Sequence, residues 1–354
     1  MKPETESGNT VTLATNMASN PDIAPDAPHE IPVELLERLH DWTQNVLALI
    51  TARLPPESET LEPARHTLAS GGKHIRVRLT LLSAMAAGLD QNTASSLAAA
   101  AEMVHTATLI HDDVIDGGDE RRGQIAAHVV HGNKHAILGG DLLLIQALRL
   151  VHTDTSSAVA TELMDIISDM VEAEYLQMKT QYTLPFQAET AQTINQGKTA
   201  RLFGWCMSAP WMMAGESPEF VPAARAFGEQ MGAVFQQMDD LLDLVGTSQE
   251  IGKPGLQDLR EGKITSALGA LLDKDPSGLA RIEHIWKLGE SGASQERELE
   301  AFRAWVAELD LIGELREHLQ TDTLASLALL DTLPASDARN AIGSITRELV
   351  ERSR

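Results

Sequence analysis

The chain has 354 residues, 43% of them hydrophobic and 22% charged, and its 51 acidic against 28 basic side chains give a formal net charge of −23. That apolar content speaks against wholesale disorder. The negative charge disfavours nucleic acid and polybasic contact with a membrane surface, because phosphates would be repelled. A single cysteine, Cys206, rules out an intrachain disulfide and fits a reducing, cytoplasmic compartment.

Residues 1–31 are rich in Pro, Ser, Asn, Thr and acids and lack an apolar signal core, so a disordered tail is expected there. Residues 32–354 are expected to form one α-helical domain. Prolines cluster up to Pro63 and then vanish until Pro185, and the intervening text is rich in Ala, Leu and Met, the material of long helices. With 4% aromatic residues and little Val, Ile or Thr alternation, strands lack their usual material. Breaks are predicted at Pro55 and Pro56, Gly71 and Gly72, Gly117 and Gly118, Gly132 and Asn133, Pro185, Pro210, Gly215, Pro254 and Gly255, and Pro276. Residues 296–305 alternate charge and apolar bulk like a surface helix. Glu102 and Asp141 interrupt the longest apolar stretches, so no transmembrane helix is expected.

The most informative segment is 105–116. On a helix, His105, Thr108, Asp112 and Asp116 share one stripe at spacings of three and four, flanked by Leu109, Ile110, Val114 and Ile115. Alone, such a stripe reads as a solvated helix end before Gly117 and Gly118. The pattern returns at 235–243, where Gln236, Asp239 and Asp243 form a stripe with Asp240 beside it, among Met231, Val234, Met238, Leu241, Leu242 and Leu244. Two apolar helices that each carry three carboxylates would repel at close range. Mg²⁺, which takes oxygen ligands and bridges carboxylates to phosphates, would relieve this and points to a diphosphate substrate.

Cations for such a substrate stand in short clusters: Lys73 and Arg76 after Gly71 and Gly72, Arg121 and Arg122 after the first acidic motif, Lys198 with Thr199, and Lys253 and Lys263 after the second. Each alone is an ordinary surface charge. Together they suit two anion sites beside a metal cluster.

From about Gly71 to Leu268 these motifs, with Gly140-Asp141, the 172–177 segment and the 252–263 segment, resemble the trans-isoprenyl diphosphate synthase (polyprenyl synthetase) family in order and spacing. The resemblance implies a single-domain bundle of long helices around a deep central cavity. It also implies a homodimer that condenses isopentenyl diphosphate with an allylic diphosphate. Asp112, Asp116 and Asp239, with Asp243 close by, would hold Mg²⁺, three ions with bound diphosphate. Arg121, Lys198, Thr199, Gln236 and Lys253 would take the allylic diphosphate, and Lys73, Arg76, His105 and Arg122 isopentenyl diphosphate. Asp112, Asp116, Asp239, Lys198 and Arg121 would carry catalysis.

His74 and Val77 depart from the usual Arg and Pro, Gln124-Ile125-Ala126 from Lys-Pro-Thr, and Thr265-Ser266-Ala267 from Thr-Leu-Pro. In this family, product length is set below the first acidic motif. Ala107 and Thr108, five and four residues before Asp112, are small, which implies an unplugged tunnel and a product of C30 or longer. A terpene cyclase would not need the isopentenyl site, a silent partner subunit should have lost acidic motifs, and an HD-type phosphohydrolase built on His111-Asp112 leaves the second acidic motif unexplained. His111 is expected to bond locally and Cys206 to be core.

Overall fold

Long stretches free of proline fold as long helices. The computed structural model describes residues 31–215, 218–245, 255–263 and 265–351. Helix α1 (Val33–Arg53) leads through a 3₁₀ turn at Glu59–Leu61 to α2 (Glu62–Ala69), α3 (Ile75–Ala86) and α4 (Gln91–Asp116). The Asp90 side chain caps α4 by accepting from the Asn92 and Thr93 backbone N–H groups, and Gly117, at φ 66°, ends it in the left-handed region. Next come two short strands, β1 (Glu120–Arg121) and β2 (Gln124–Ile125), then α5 (Ala127–His131), α6 (Asn133–Asp154) and α7 (Ser157–Thr180).

Beyond α7, α8 (Ala188–Asn195) passes through a π-helical turn, Gln196–Ala200, into α9 (Arg201–Ala214). Then follow α10 (Phe220–Val245), α11 (Gln257–Arg260), α12 (Ser266–Lys274), α13 (Gly278–Glu290), α14 (Glu296–Glu308), α15 (Leu311–Leu330) and α16 (Asp337–Glu351).

Two expectations are corrected. Arg121 and Arg122 lie in a short β-hairpin, where composition predicts no strands: Glu120 pairs with Ile125 and Arg121 with Gln124. The turn places Arg122 and Gly123 at φ 53° and 73°, the twist that matches tight hairpins and needs positive φ at both central residues. The expected break at Pro210 is absent, because Pro210 lies inside α9. Its ring removes one backbone donor, and Ser83 Oγ of α3 donates to the Met207 carbonyl in the disturbed turn, at 2.7 Å.

The core is built where α4 packs on α6, α3 on α4 and α9, and α10 on α9 and α15. Leu97, Met103, Val104, Ile110, Phe203 and Trp205 are fully buried there, each contributing on the order of 1.5–3 kcal/mol of apolar burial. Cys206 belongs to this core, and burial pushes its thiol up to about 11. A second cluster joins α12 to α14 through Leu271, Ile282, Ile285, Leu299 and Phe302. In α14, Leu299, Phe302, Trp305 and Val306 form the buried stripe of the expected amphipathic helix. Helix α6 is long and apolar enough, by length and composition, to cross a membrane. Its inner side packs on α4, and Ile137, Leu138 and Ile145 stay exposed on the other.

Candidate active site

The site lies where the acidic end of α4 meets the segment after α10. Lys263 Nζ donates to Asp116 Oδ2 at 2.6 Å and to Glu261 Oε2 at 2.7 Å, joining residues 147 apart in sequence. Burial works against the Lys263 ammonium, but Asp116 and Glu261 outweigh it and raise its pKa. The other Asp116 oxygen, Oδ1, is buried with no hydrogen-bond partner among the described residues. Burial pushes the Asp112 carboxyl up to about 6; Lys198 opposes the rise, and Glu174 and Asp116 add to it. An orphaned carboxylate oxygen beside a second carboxylate held above its ordinary range is a donor set short of positive charge. That suits a hard divalent cation.

On α10, Asp239 is exposed, whereas Asp240 and Asp243 are buried. Burial, and then Asp258, raise Asp240 well above the usual carboxylate range. The Asp243 oxygens accept the Gln257 and Asp258 backbone N–H groups at 3.1 and 3.0 Å, so this carboxylate also anchors α11. Gln236 Nε2 donates to Asp240 Oδ1 and Gln236 Oε1 accepts from Thr199 Oγ1, both at 2.9 Å, linking the second motif to the π-helical turn.

That turn is pressed onto α7. A Cβ on Gly197 would stand 2.5 Å from the Ala173 Cβ, so only glycine allows the approach. It brings Lys198 Nζ onto Glu174 and, at 2.8 Å, onto Gln177 Oε1. Neither partner was given a role from the sequence, although their spacing of three on one helix face was a usable signal.

The consecutive arginines part company at the hairpin. Arg121 places Nε and Nη2 2.6 and 2.5 Å from Asp113 Oδ1, while Arg122 donates through Nη1 to the Gly71 carbonyl. Burial disfavours the Arg121 charge, but the Asp113 hydrogen bond and the nearby Asp112 and Asp116 win and raise its pKa. Asp113, indistinguishable from Asp112 as a letter, therefore faces away from the stripe and anchors Arg121.

A narrow crevice near this hairpin is lined by Gly71, His74, Glu102, His105, Leu109 and Arg122. His74 Nδ1 lies 2.9 Å from Glu102 Oε1, a hydrogen bond that raises the histidine despite its partial burial. Burial, with Arg76 and Arg122 nearby, drives His105 well below its ordinary value and leaves a neutral imidazole. Arg76 is buried, which lowers its pKa, and its guanidinium sits 4.5 Å above the Phe203 ring. Lys73 is exposed. His111 stays local, with Nε2 3.2 Å from the Ile137 carbonyl and 3.4 Å from Asp141 on α6. Ala107 is fully buried and Thr108 half-buried. Lys253 lies outside the described residues.

The sequence profile of polyprenyl synthetases matches residues 57–304. The chain belongs to the polyprenyl synthetase family. It is similar to the short chain isoprenyl diphosphate synthase of Methanothermobacter thermautotrophicus, at 31% identity over 90% of this chain and 98% of the relative. It is also similar to the octaprenyl diphosphate synthase of Escherichia coli, at 30% identity over 90% of this chain and 99% of the relative. Among solved structures, a polyprenyl synthase from Caulobacter crescentus, complexed with calcium and isoprenyl diphosphate, superposes with a TM-score of 0.83 at 30% identity, covering 92% of this chain and 99% of that one. This polyprenyl synthetase is accordingly an all-α prenyltransferase of the isoprenoid synthase fold.

Proposed function

We propose that residues 32–354 form the catalytic domain of a cytoplasmic, homodimeric trans-polyprenyl diphosphate synthase. It extends an allylic diphosphate with isopentenyl diphosphate to a product of C30 or longer. The observation that carries this is Lys263, from the segment that follows the second acidic motif, seated on Asp116 of the first beside an under-neutralised carboxylate.

Asp112, Asp116 and Asp239 hold Mg²⁺, three ions once diphosphate is bound. Asp243, engaged with backbone N–H groups, acts behind them. Mg²⁺ held there would supply positive charge to the leaving diphosphate. Arg121, Lys198 and Lys253 grip that diphosphate, and cations aimed at a leaving group lower the barrier most when they are fixed beforehand. Asp113 fixes Arg121, and Glu174 with Gln177 fixes Lys198. Thr199 and Gln236 sit beside the reacting end. Lys73, Arg76, His105 and Arg122 hold isopentenyl diphosphate at the crevice, where neutral His105 gives or takes a hydrogen bond without adding charge.

Relatives named for short and for octaprenyl products stand at nearly equal identity. Product length therefore rests on the small residues Ala107 and Thr108 below the metal-binding end of α4. The homodimer would cover Ile137, Leu138 and Ile145 of α6 together with Val171, Tyr175 and Met178 of α7, apolar side chains now exposed.

The test is incubation of purified protein with labelled isopentenyl diphosphate, Mg²⁺ and each C5–C20 primer, with products sized after dephosphorylation. Products of C30 or longer, abolished by Asp112→Ala and by Asp239→Ala, are expected. No incorporation from any primer would overturn the assignment, and a cyclic hydrocarbon formed without isopentenyl diphosphate would replace it with a cyclase.

A further inference from the structure

A second cluster of metal-ligating side chains stands outside the diphosphate machinery. Glu62 opens α2, His131 closes α5 and His135 lies in the first turn of α6. One ligand atom from each lies within 4.8 Å of the others. The His131 and His135 rings meet edge to face at 5.5 Å between centroids, and His66, one turn after Glu62, meets His131 in the same way at 5.6 Å.

The ring hydrogen bonds decide which nitrogens carry lone pairs. His135 Nε2 lies 2.8 Å from the Glu59 carbonyl and His66 Nε2 2.7 Å from the Ile125 carbonyl. A carbonyl only accepts, so both Nε2 atoms are the protonated ones and both Nδ1 atoms are left as lone-pair donors. A backbone carbonyl that fixes the tautomer is the usual support behind a metal-bound histidine. His131 Nδ1 lies 3.7 Å from Glu62 Oε2. Ligand atoms around a tetrahedral ion with bonds of about 2.0–2.1 Å stand about 3.3 Å apart. The present spread reaches no more than 4.8 Å, and Glu62, the exposed member, is the one with room to close on the two half-buried rings.

The geometry points to a binding site for a zinc-class divalent cation, held by Glu62, His131 and His135, with His66 the nearest further donor. Imidazole nitrogens with one carboxylate favour such ions over Mg²⁺, which prefers an all-oxygen shell. No residue of this cluster belongs to the candidate catalytic set. An ion here would tie α2, α5 and α6 together, and α5 directly follows the hairpin that presents Arg121 and Arg122. It would brace the far end of that arm without touching substrate.

The test uses full-length protein without a histidine tag, stripped by chelator and titrated with Zn²⁺ by calorimetry in excess Mg²⁺ and without diphosphate. One Zn²⁺ per chain and a raised melting temperature are expected, and Co²⁺ in its place should give the visible bands of a low-coordinate site. His131→Ala and His135→Ala should each weaken Zn²⁺ binding at least ~10-fold, the lower bound for losing even an outer-shell support. Glu62→Gln, which preserves volume and folding, should also weaken it, and Asp112→Ala should leave it unchanged. Zn²⁺ displaced by Mg²⁺, or lost in Asp112→Ala but kept in the histidine and Glu62 variants, would overturn the proposal.

Discussion

Asp113→Asn separates two roles that adjacent aspartates would otherwise share. Asp113 is 3% exposed, and Arg121 places two nitrogens 2.6 and 2.5 Å from its Oδ1. Removing one partner of a buried ion pair costs about 3–5 kcal/mol. Here Arg121 keeps 31% of its side-chain surface in solvent and still has Asp112 and Asp116 nearby, so part of its charge stays compensated. A net loss of about 2–3 kcal/mol is expected, or roughly 3–4 °C in melting temperature for a domain this large. The loosened Arg121 should raise the KM for the allylic diphosphate about 10-fold, equivalent to about 1.4 kcal/mol of lost binding. The kcat should stay within about 10-fold of wild type, since no metal ligand is lost. Asp112→Asn should do the reverse, lowering kcat by orders of magnitude with little change in melting. Scanning calorimetry and steady-state kinetics on both variants decide the matter. A collapse of kcat in Asp113→Asn with its melting temperature intact would make Asp113 a metal ligand and refute the anchoring role.

Three further outcomes are expected. Lys73→Ala should raise the KM for isopentenyl diphosphate and Lys198→Ala that for the allylic substrate, each by tens-fold for a lost charge-assisted hydrogen bond of about 1.5–3 kcal/mol; initial-rate kinetics with each substrate varied would expose a misassignment if Lys73→Ala shifted only the allylic constant. Thr108→Phe should shorten the product with the first condensation largely intact. Ala107→Phe should do so too if that wall opens for the growing tail, and chromatography of dephosphorylated products that leaves both distributions unchanged would remove this stretch of α4 from the tunnel. His74 is raised above 6.5 by Glu102, so its protonated form favours the folded state: that stability is complete below pH 6.5 and is lost as pH rises through the raised value. Thermal melts across this range should therefore show the wild type losing ground to His74→Gln as the solution becomes more basic, and parallel curves would count against the His74–Glu102 pair.

The helical class, the aspartate stripes of α4 and α10 and the stop at Gly117 were legible because each is a local pattern of spacing or of one residue's backbone freedom. What escaped was set by pairing across distance. Nothing in the letters tells Asp112 from Asp113 until the hairpin turns Arg121 back onto one of them. His74 and Glu102 are 28 residues apart, and Lys263 and Asp116 147 apart. The π-helical turn under Lys198 depends on how closely Gly197 meets Ala173, a packing fact with no periodic signature. Pro210 misled because a proline inside a helix costs one backbone donor, the one that would reach the Cys206 carbonyl, and the packing of α9 on α3 and α10 carries the helix across it.

Cys206 is fully buried on α9, with Thr80 of α3 beside its thiol, which burial holds up to about 11. At neutral pH almost none of it is thiolate, and no reagent reaches it while the helices stay packed. A maleimide dye would thus find a dark background in the native protein. One cysteine placed on the β-hairpin, at Gln124 for instance, would take the whole label and report arm movement by fluorescence. Without that addition, the slow modification of Cys206 itself becomes a clock for the opening of the core, counting excursions too rare for equilibrium melts to see.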